Sequence, residues 1–196
     1  MAARKVQIYG PEPISLTEAR RQCFITSNSD DTLLDLLISA SREYAENMTW
    51  RTITPCQYVL SLDEFPQEIY LPHPPAYQVD KIEYINTAGV LTQMSQSDYQ
   101  VDTHSQPARI TRINNWPAIK PDTYGAVKVT YRAGYQQDTD SNNVPGPIKQ
   151  AILMMIKHWY DNPEAVVVGV GASTSVNEVP LSASHLLNLH SARHFI

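Results

Sequence analysis

The chain has 196 residues, 42% of them hydrophobic and 18% charged, with a formal net charge of -5. That suffices for one good core, with or without an appended arm, and the balance is globular rather than disordered. An acidic chain with no basic run is poorly suited to tight binding of a phosphate backbone, and two cysteines, Cys23 and Cys56, exclude a disulfide scaffold.

The two thiols read as free and buried, since free cysteine behaves as a small hydrophobe. The opening MAARKVQIYGPEP has basic residues but no apolar stretch of the signal-peptide kind, so a soluble intracellular protein is the default expectation. In SLTEARRQCF, Ser15 and Glu18 stand at capping-box spacing and predict a helix at about 16–23. In NSDDTLLDLLISASREYAENMTWR, Asn28, Ser29, Asp30 and Asp31 place caps and negative charge at a helix start. Leu33, Leu37, Ala40 and Tyr44 then recur at helical spacing, widened by Leu34, Ile38, Ala45 and Met48, and predict an amphipathic helix at about 31–49.

From about 52 to 135 no helical period survives. Short alternating runs appear instead, punctuated by prolines: CQYVLSL, EIYLP, VDKIEYI with a turn at Thr87–Gly89, DYQVD, ARITRI and AVKVTYRAGY. This predicts an antiparallel β region inserted between helices. Helix returns in VPGPIKQAILMMIKHWYDNPEAV, where Pro147 suits the first turn and Asn162-Pro163 ends the run. Ile148, Ala151, Ile152, Met155, Ile156 and Trp159 form a broad apolar stripe, so a buried helix is predicted at about 147–161. The stripe is too short and too interrupted by Lys149, Gln150, Lys157 and His158 to span a membrane. VGVGASTSVNEVP reads as a hinge or extended arm, and PLSASHLLNLHSARHFI as a last short helix capped by Ser182 or Ser184. The expected fold is therefore α+β: a small helical bundle with an inserted antiparallel β region and a C-terminal extended arm ending in a short helix. Residues 1–165 are expected as one domain and 166–196 as the arm. The expected bundle core is Leu33, Leu37, Tyr44, Ile148, Ile152, Met155 and Trp159.

A search for chemistry finds little. His190 and His194 have metal-sharing helical spacing, but no third ligand lies near them in sequence. Asp102 and His104 share a strand face without a nucleophile. His158, Trp159, Tyr160 and Asp161 are consecutive and spread round a helix, so they cannot converge on one atom. Arg109, Arg112, Lys120, Lys128 and Arg132 are scattered over the β region. No cofactor, metal or catalytic site is expected, and the pattern points to a structural or interaction protein. A small hydrolase-like enzyme using Asp102, His104 or His158 is the alternative.

Three pieces in this order resemble the head–tail connector (adaptor) family of tailed bacteriophages, including its uncharacterised phage and prophage members. They are the helix DDTLLDLLISASREYA, the turn LPHPP before VDKIEYI, and VPGPIKQAIL closing on HWYDNPEA. The sequence departs from the family where His190 and Ser191 replace the commoner aromatic before Arg193. The resemblance implies a virion protein assembled in the host cytoplasm. It implies a ring, usually of twelve copies, beneath the portal protein, and a platform for stopper or tail proteins. Double-stranded DNA would pass through its lumen without sequence-specific binding, and no membrane would be involved. Another connector layer, a stopper or tail-completion protein, is the alternative within that class. On this reading Val176, Val179, Leu181, Leu186, Leu187, Leu189, Arg193 and Phe195 meet the portal or a neighbouring subunit.

Overall fold

The computed structural model describes residues 2–135, 137–138, 141–163 and 179–192. They fall into two compact units. A β unit draws on Met1–Pro11, Arg51–Ser141 and Ala192–Ile196, and a helical unit on Glu12–Trp50 and Asn142–Ser191.

In the β unit, the period-2 alternation read in the sequence becomes two antiparallel sheets. The strands are β1 (Ala2–Ile8), β2 (Cys56–Leu62), β3 (Glu68–Leu71), β4 (Ala76–Ile85), β5 (Leu91–Gln93), β6 (Tyr99–Asp102), β7 (Ala108–Arg112) and β8 (Val127–Ala133). A two-residue ribbon of β9 (Gln137–Asp138) and β10 (Ser141–Asn142) follows. The larger sheet has the order β1-β2-β8-β4-β5 and the smaller one β3-β7-β6. Register aligns the apolar sets, with Tyr58 opposite Tyr131 and Leu60 opposite Val129. The alternate residues of β2 (Cys56, Tyr58, Leu60 and Leu62) join Ile69, Leu71, Ile82, Ile110 and Val127 in one hydrophobic core shared by both sheets. Fully burying a side chain such as Leu60 contributes about 1.5–3 kcal/mol.

Tyr58 lies between two other rings, stacked on Tyr131 at 5.5 Å and on His73 at 5.1 Å. The Tyr131 hydroxyl donates to the Pro72 carbonyl at 2.7 Å, which satisfies the one polar atom of a fully buried side chain. Burial holds that phenol protonated by pushing its pKa up. Gly134 has φ +120, and a Cβ there would meet Pro55 Cα at 2.7 Å, so only glycine fits where β8 ends. At the β4–β5 turn, the Asn86 side chain accepts from the N–H groups of Ala88 and Val90, both at 3.0 Å.

In the helical unit, α1 (Leu16–Cys23), α2 (Asp31–Thr49), α3 (Gly146–Asp161) and α4 (Leu181–Asn188) pack together. The capping box at α1 is complete: the Ser15 N–H donates to Glu18 at 2.8 Å, and Glu18 N–H donates to the Ser15 hydroxyl at 3.2 Å. Burial works against the Glu18 charge, but the Ser15 bonds and nearby Lys149 outweigh it and hold the carboxyl below its ordinary range. Buried residues come from every helix: Ala19 and Cys23, Leu34, Ile38 and Ala45, Ile148, Ala151, Ile152, Met155 and Ile156, then Ala183 and Leu187. Both cysteines are buried, and neither is in a disulfide.

Several expectations change here. The buried face of α2 is displaced from Leu33, Leu37 and Tyr44: Leu33 is 46% exposed, and Leu37 and Tyr44 are half-buried. Apolar residues occupy more than half the circumference of α2, so its spacing defines two adjacent stripes, of which the helical unit covers one. Trp159 is half-buried too, edge-on to Tyr44 at 6.2 Å. The last helix packs on α2 and α3 within the helical unit. It starts after Pro180 with no side-chain cap, so neither Ser182 nor Ser184 serves there. The hinge reading of VGVGASTSVNEVP covers residues 168–180, of which 168–178 lie outside the described residues.

α2 also buries charge. Arg42 is 3% exposed and donates to Glu12 at 2.8 and 3.2 Å and to Glu46 at 3.2 Å. A buried guanidinium persists only where its donors meet acceptors, here carboxylates, and this one ties the segment before α1 to the middle of α2.

Candidate functional site

The candidate residues for chemistry do not gather into a site. Asp102 accepts from the His104 backbone N–H at 3.0 Å, from the Ser105 hydroxyl at 2.7 Å and from Arg109 at 3.1 Å. The Ser105 hydroxyl and backbone bonds, followed by the Arg109 and His104 bonds, hold its pKa at about 2. The carboxylate therefore closes a turn and is no base for a nucleophile. Around the end of α3, Tyr160 donates to Asp30 at 2.6 Å and Lys157 pairs with Asp161 at 2.7 Å, both within the helical unit. These bonds fasten the helix end rather than gather at one point. His194 lies outside the described residues, so the His190–His194 pair is not seen. Among the described residues no group of three or more His, Cys, Asp or Glu could hold a metal ion, and no helix is long and apolar enough to cross a membrane.

What the molecule presents is surface. On the helical unit, Leu33 and Leu36 are exposed at 46% and 63%, next to exposed Ala40, and form an uncovered apolar stripe along α2. Phe24 ends α1 in the left-handed region with φ 59 and is 86% exposed, with the Lys157 ammonium 5.6 Å from its ring centroid. Of the expected partner-facing residues, Leu181 and Leu189 are exposed and Leu186 is half-buried. Val179 and Leu187 are buried in their own chain, which takes them off the surface. Val176, Arg193 and Phe195 lie outside the described residues.

On the β unit, the outer face of the larger sheet forms an open groove of about 670 Å³ lined by Arg4, Gln57, Val59, Ser61, Lys81, Glu83, Lys128 and Thr130. Lys81 pairs with Glu83 at 2.8 Å, whereas Arg4 and Lys128 make no ion pair among the described residues. At one end of this face Arg132 pairs with Asp80 at 3.0 Å and lies 5.4 Å from the Tyr9 ring centroid. A second hollow of about 660 Å³ lies among the loops, walled by Phe65 and Trp116, whose rings stack at 4.7 Å. Of the scattered bases, Lys128 and Arg132 share the larger sheet, while Arg109 and Arg112 belong to β7 of the other. Arg4 escaped the sequence reading because β1 did. Its ARKVQI run mixes charge into an edge strand, and its partner lies some fifty positions away.

A family model described as head completion protein matches residues 13–191. Among curated proteins none matches. Solved structures that resemble the chain include one from the neck of an empty GTA particle computed with C6 symmetry, with a TM-score of 0.72 and 17% identity over 97% of this chain and 95% of that one. A chain from the virion of a native gene transfer agent particle matches with a TM-score of 0.72 and 19% identity over the same shares. A third, from the neck of a native GTA particle computed with C12 symmetry, matches with a TM-score of 0.70 and 19% identity, again over 97% and 95%. At these identities the likeness is one of fold. Because the family model spans nearly the whole chain, the chain belongs to the head completion protein family, in keeping with the connector resemblance of its motifs.

Proposed function

We propose that this protein is a structural, non-catalytic component of a virion neck: a head–tail adaptor that forms a ring under the portal protein, continues the DNA channel and offers the platform on which stopper or tail proteins dock. The observation that carries this reading is the fold likeness over 97% of the chain to a subunit of a neck computed with C12 symmetry, taken with the family match. The C12 symmetry of that neck supports a ring of twelve. The surfaces support self-assembly, because a single copy leaves the Leu33 and Leu36 stripe of α2 uncovered. Leu181, Leu186 and Leu189 are the remaining α4 candidates for contact with the portal or a neighbour. Double-stranded DNA passes without sequence-specific binding, and no membrane takes part.

The test is to mix purified protein with portal rings and weigh the complexes by mass photometry. Twelve copies per portal ring is the expected result. Failure to bind the portal under any condition sinks the adaptor reading. Binding only to a neck that already carries an adaptor ring would instead identify a stopper layer, which the family's description also fits.

A further inference from the structure

The net charge is unevenly divided. By sequence, the β unit carries ten Lys and Arg against ten Asp and Glu, and the helical unit five against ten, so the whole excess of five negative charges sits in the helical unit. On the neutral β unit, the groove on the larger sheet gathers three cations against one carboxylate, and two of those cations make no ion pair among the described residues. Thr130 at its floor is 6% exposed although it faces outward, so the cationic rim encloses a real depression.

We infer that this groove receives the outer face of α2 from a second copy of the chain. A closed ring needs two different, mutually complementary patches on every subunit. The spacing of the charges fits. Register puts Arg4 opposite Val59 and Val59 opposite Thr130, with Lys128 two residues further along β8. Arg4 and Lys128 are thus two strands across and two residues along, about 12 Å apart. On α2, Asp35 and Glu43 are exposed and eight residues apart on one side of the helix, also about 12 Å along its axis. Asp35 makes no ion pair among the described residues, and the Glu43 side chain, 64% exposed, touches Arg42 only at 3.4 Å. The uncovered Leu36 and Ala40 border this acidic row on the helix. The contact therefore combines two charge pairs with an apolar strip laid over Val59, a composition suited to a subunit interface that sets register as well as affinity.

This inference rests on the ring reading, and the experiment separates the two. Self-association is followed by sedimentation and mass photometry, alone and on portal rings, for Lys128→Glu, Asp35→Lys and the double variant. Circular dichroism confirms that each is folded. Either single reversal is expected to weaken self-association about tenfold or more, and the double variant to recover most of it. Carbodiimide coupling of a mixture of isotopically light and heavy chains is expected to join Lys128 or Lys81 of one copy to Asp35 or Glu43 of another. Rings that form normally with either single reversal, and without those cross-links, overturn the inference and leave the ring reading standing. Absence of self-association under every condition, on portal rings included, overturns both.

Discussion

The two units of this protein are stabilised differently. The β unit closes two sheets over a continuous apolar interior, with Leu60, Ile69, Ile82, Ile110 and Val129 fully buried. The helical unit buries an Arg42–Glu46 pair and the hydroxyls of Ser41 and Thr49 among its aliphatic side chains. A sheet pair with matched register hides its backbone polar groups in ladders and needs only apolar faces in between. Two long helices and two short ones leave ends and gaps, which this chain fills with ions and hydroxyls. The units also differ in net charge, neutral against strongly acidic. The contrast teaches that buried charge is concentrated in the helical unit, so single substitutions should act on the two units unequally.

The largest expected effect is Arg42→Ala, which strands Glu12 and Glu46 beside an emptied site and should cost about 3–5 kcal/mol. The loss should appear in denaturation followed by Trp159 in a variant retaining that tryptophan alone. A second variant retaining only Trp116, which is stacked on Phe65, reports the β unit. If both tryptophans lose the same stability, the two units unfold as one body and the contrast fails. Leu60→Ala is the counterpart in the β unit, with an expected loss of about 2–5 kcal/mol depending on how far the cavity collapses. It should move the Trp116 transition in dilute and in molar salt alike. The smallest effect concerns acid. The Asp102 carboxyl titrates at about 2 when folded, against an ordinary value of 3.8. A depressed value means that its contribution is complete above about pH 4 and is lost as the pH falls towards 2. Asp102→Asn should flatten the β unit's acid-induced fall in melting temperature over that window. An unchanged acid limb would show that its bonds to Ser105 and Arg109 contribute nothing.

Much of this architecture is legible in the sequence, for identifiable reasons. The capping box at Ser15 and Glu18, the acidic start of α2 and the proline–proline frame of α3 are local signals, and these helices begin within a residue or so of their expected positions. The alternation in CQYVLSL and AVKVTY is equally local. What escaped depends on distant partners. Which stripe of α2 faces inward depends on where α3 and α4 lie, so Leu33 reads like Leu34 until the bundle is assembled. β1 has little pattern of its own and exists because β2 offers it an edge. The burial of Arg42 has no sequence signal beyond Glu46 four residues on, since Glu12 comes from thirty residues away. The cationic groove needs β1, β2, β8 and β4 side by side, an order that no linear reading contains.

The insertion of the β unit between α2 and α3 also has a consequence in time. The helical unit is built from two stretches of chain separated by residues 51–141. At about 5–20 residues per second on the ribosome, α3 arrives roughly 5–20 seconds after α2 has been made. During that interval Leu34 and Ile38 have no α3 to cover them, and by its end every strand of the two large sheets has been synthesised. The β unit can therefore close first and carry the waiting ends of the helical unit. A newborn chain that stalls before Ile148 would display the sticky side of α2 to every neighbouring nascent chain.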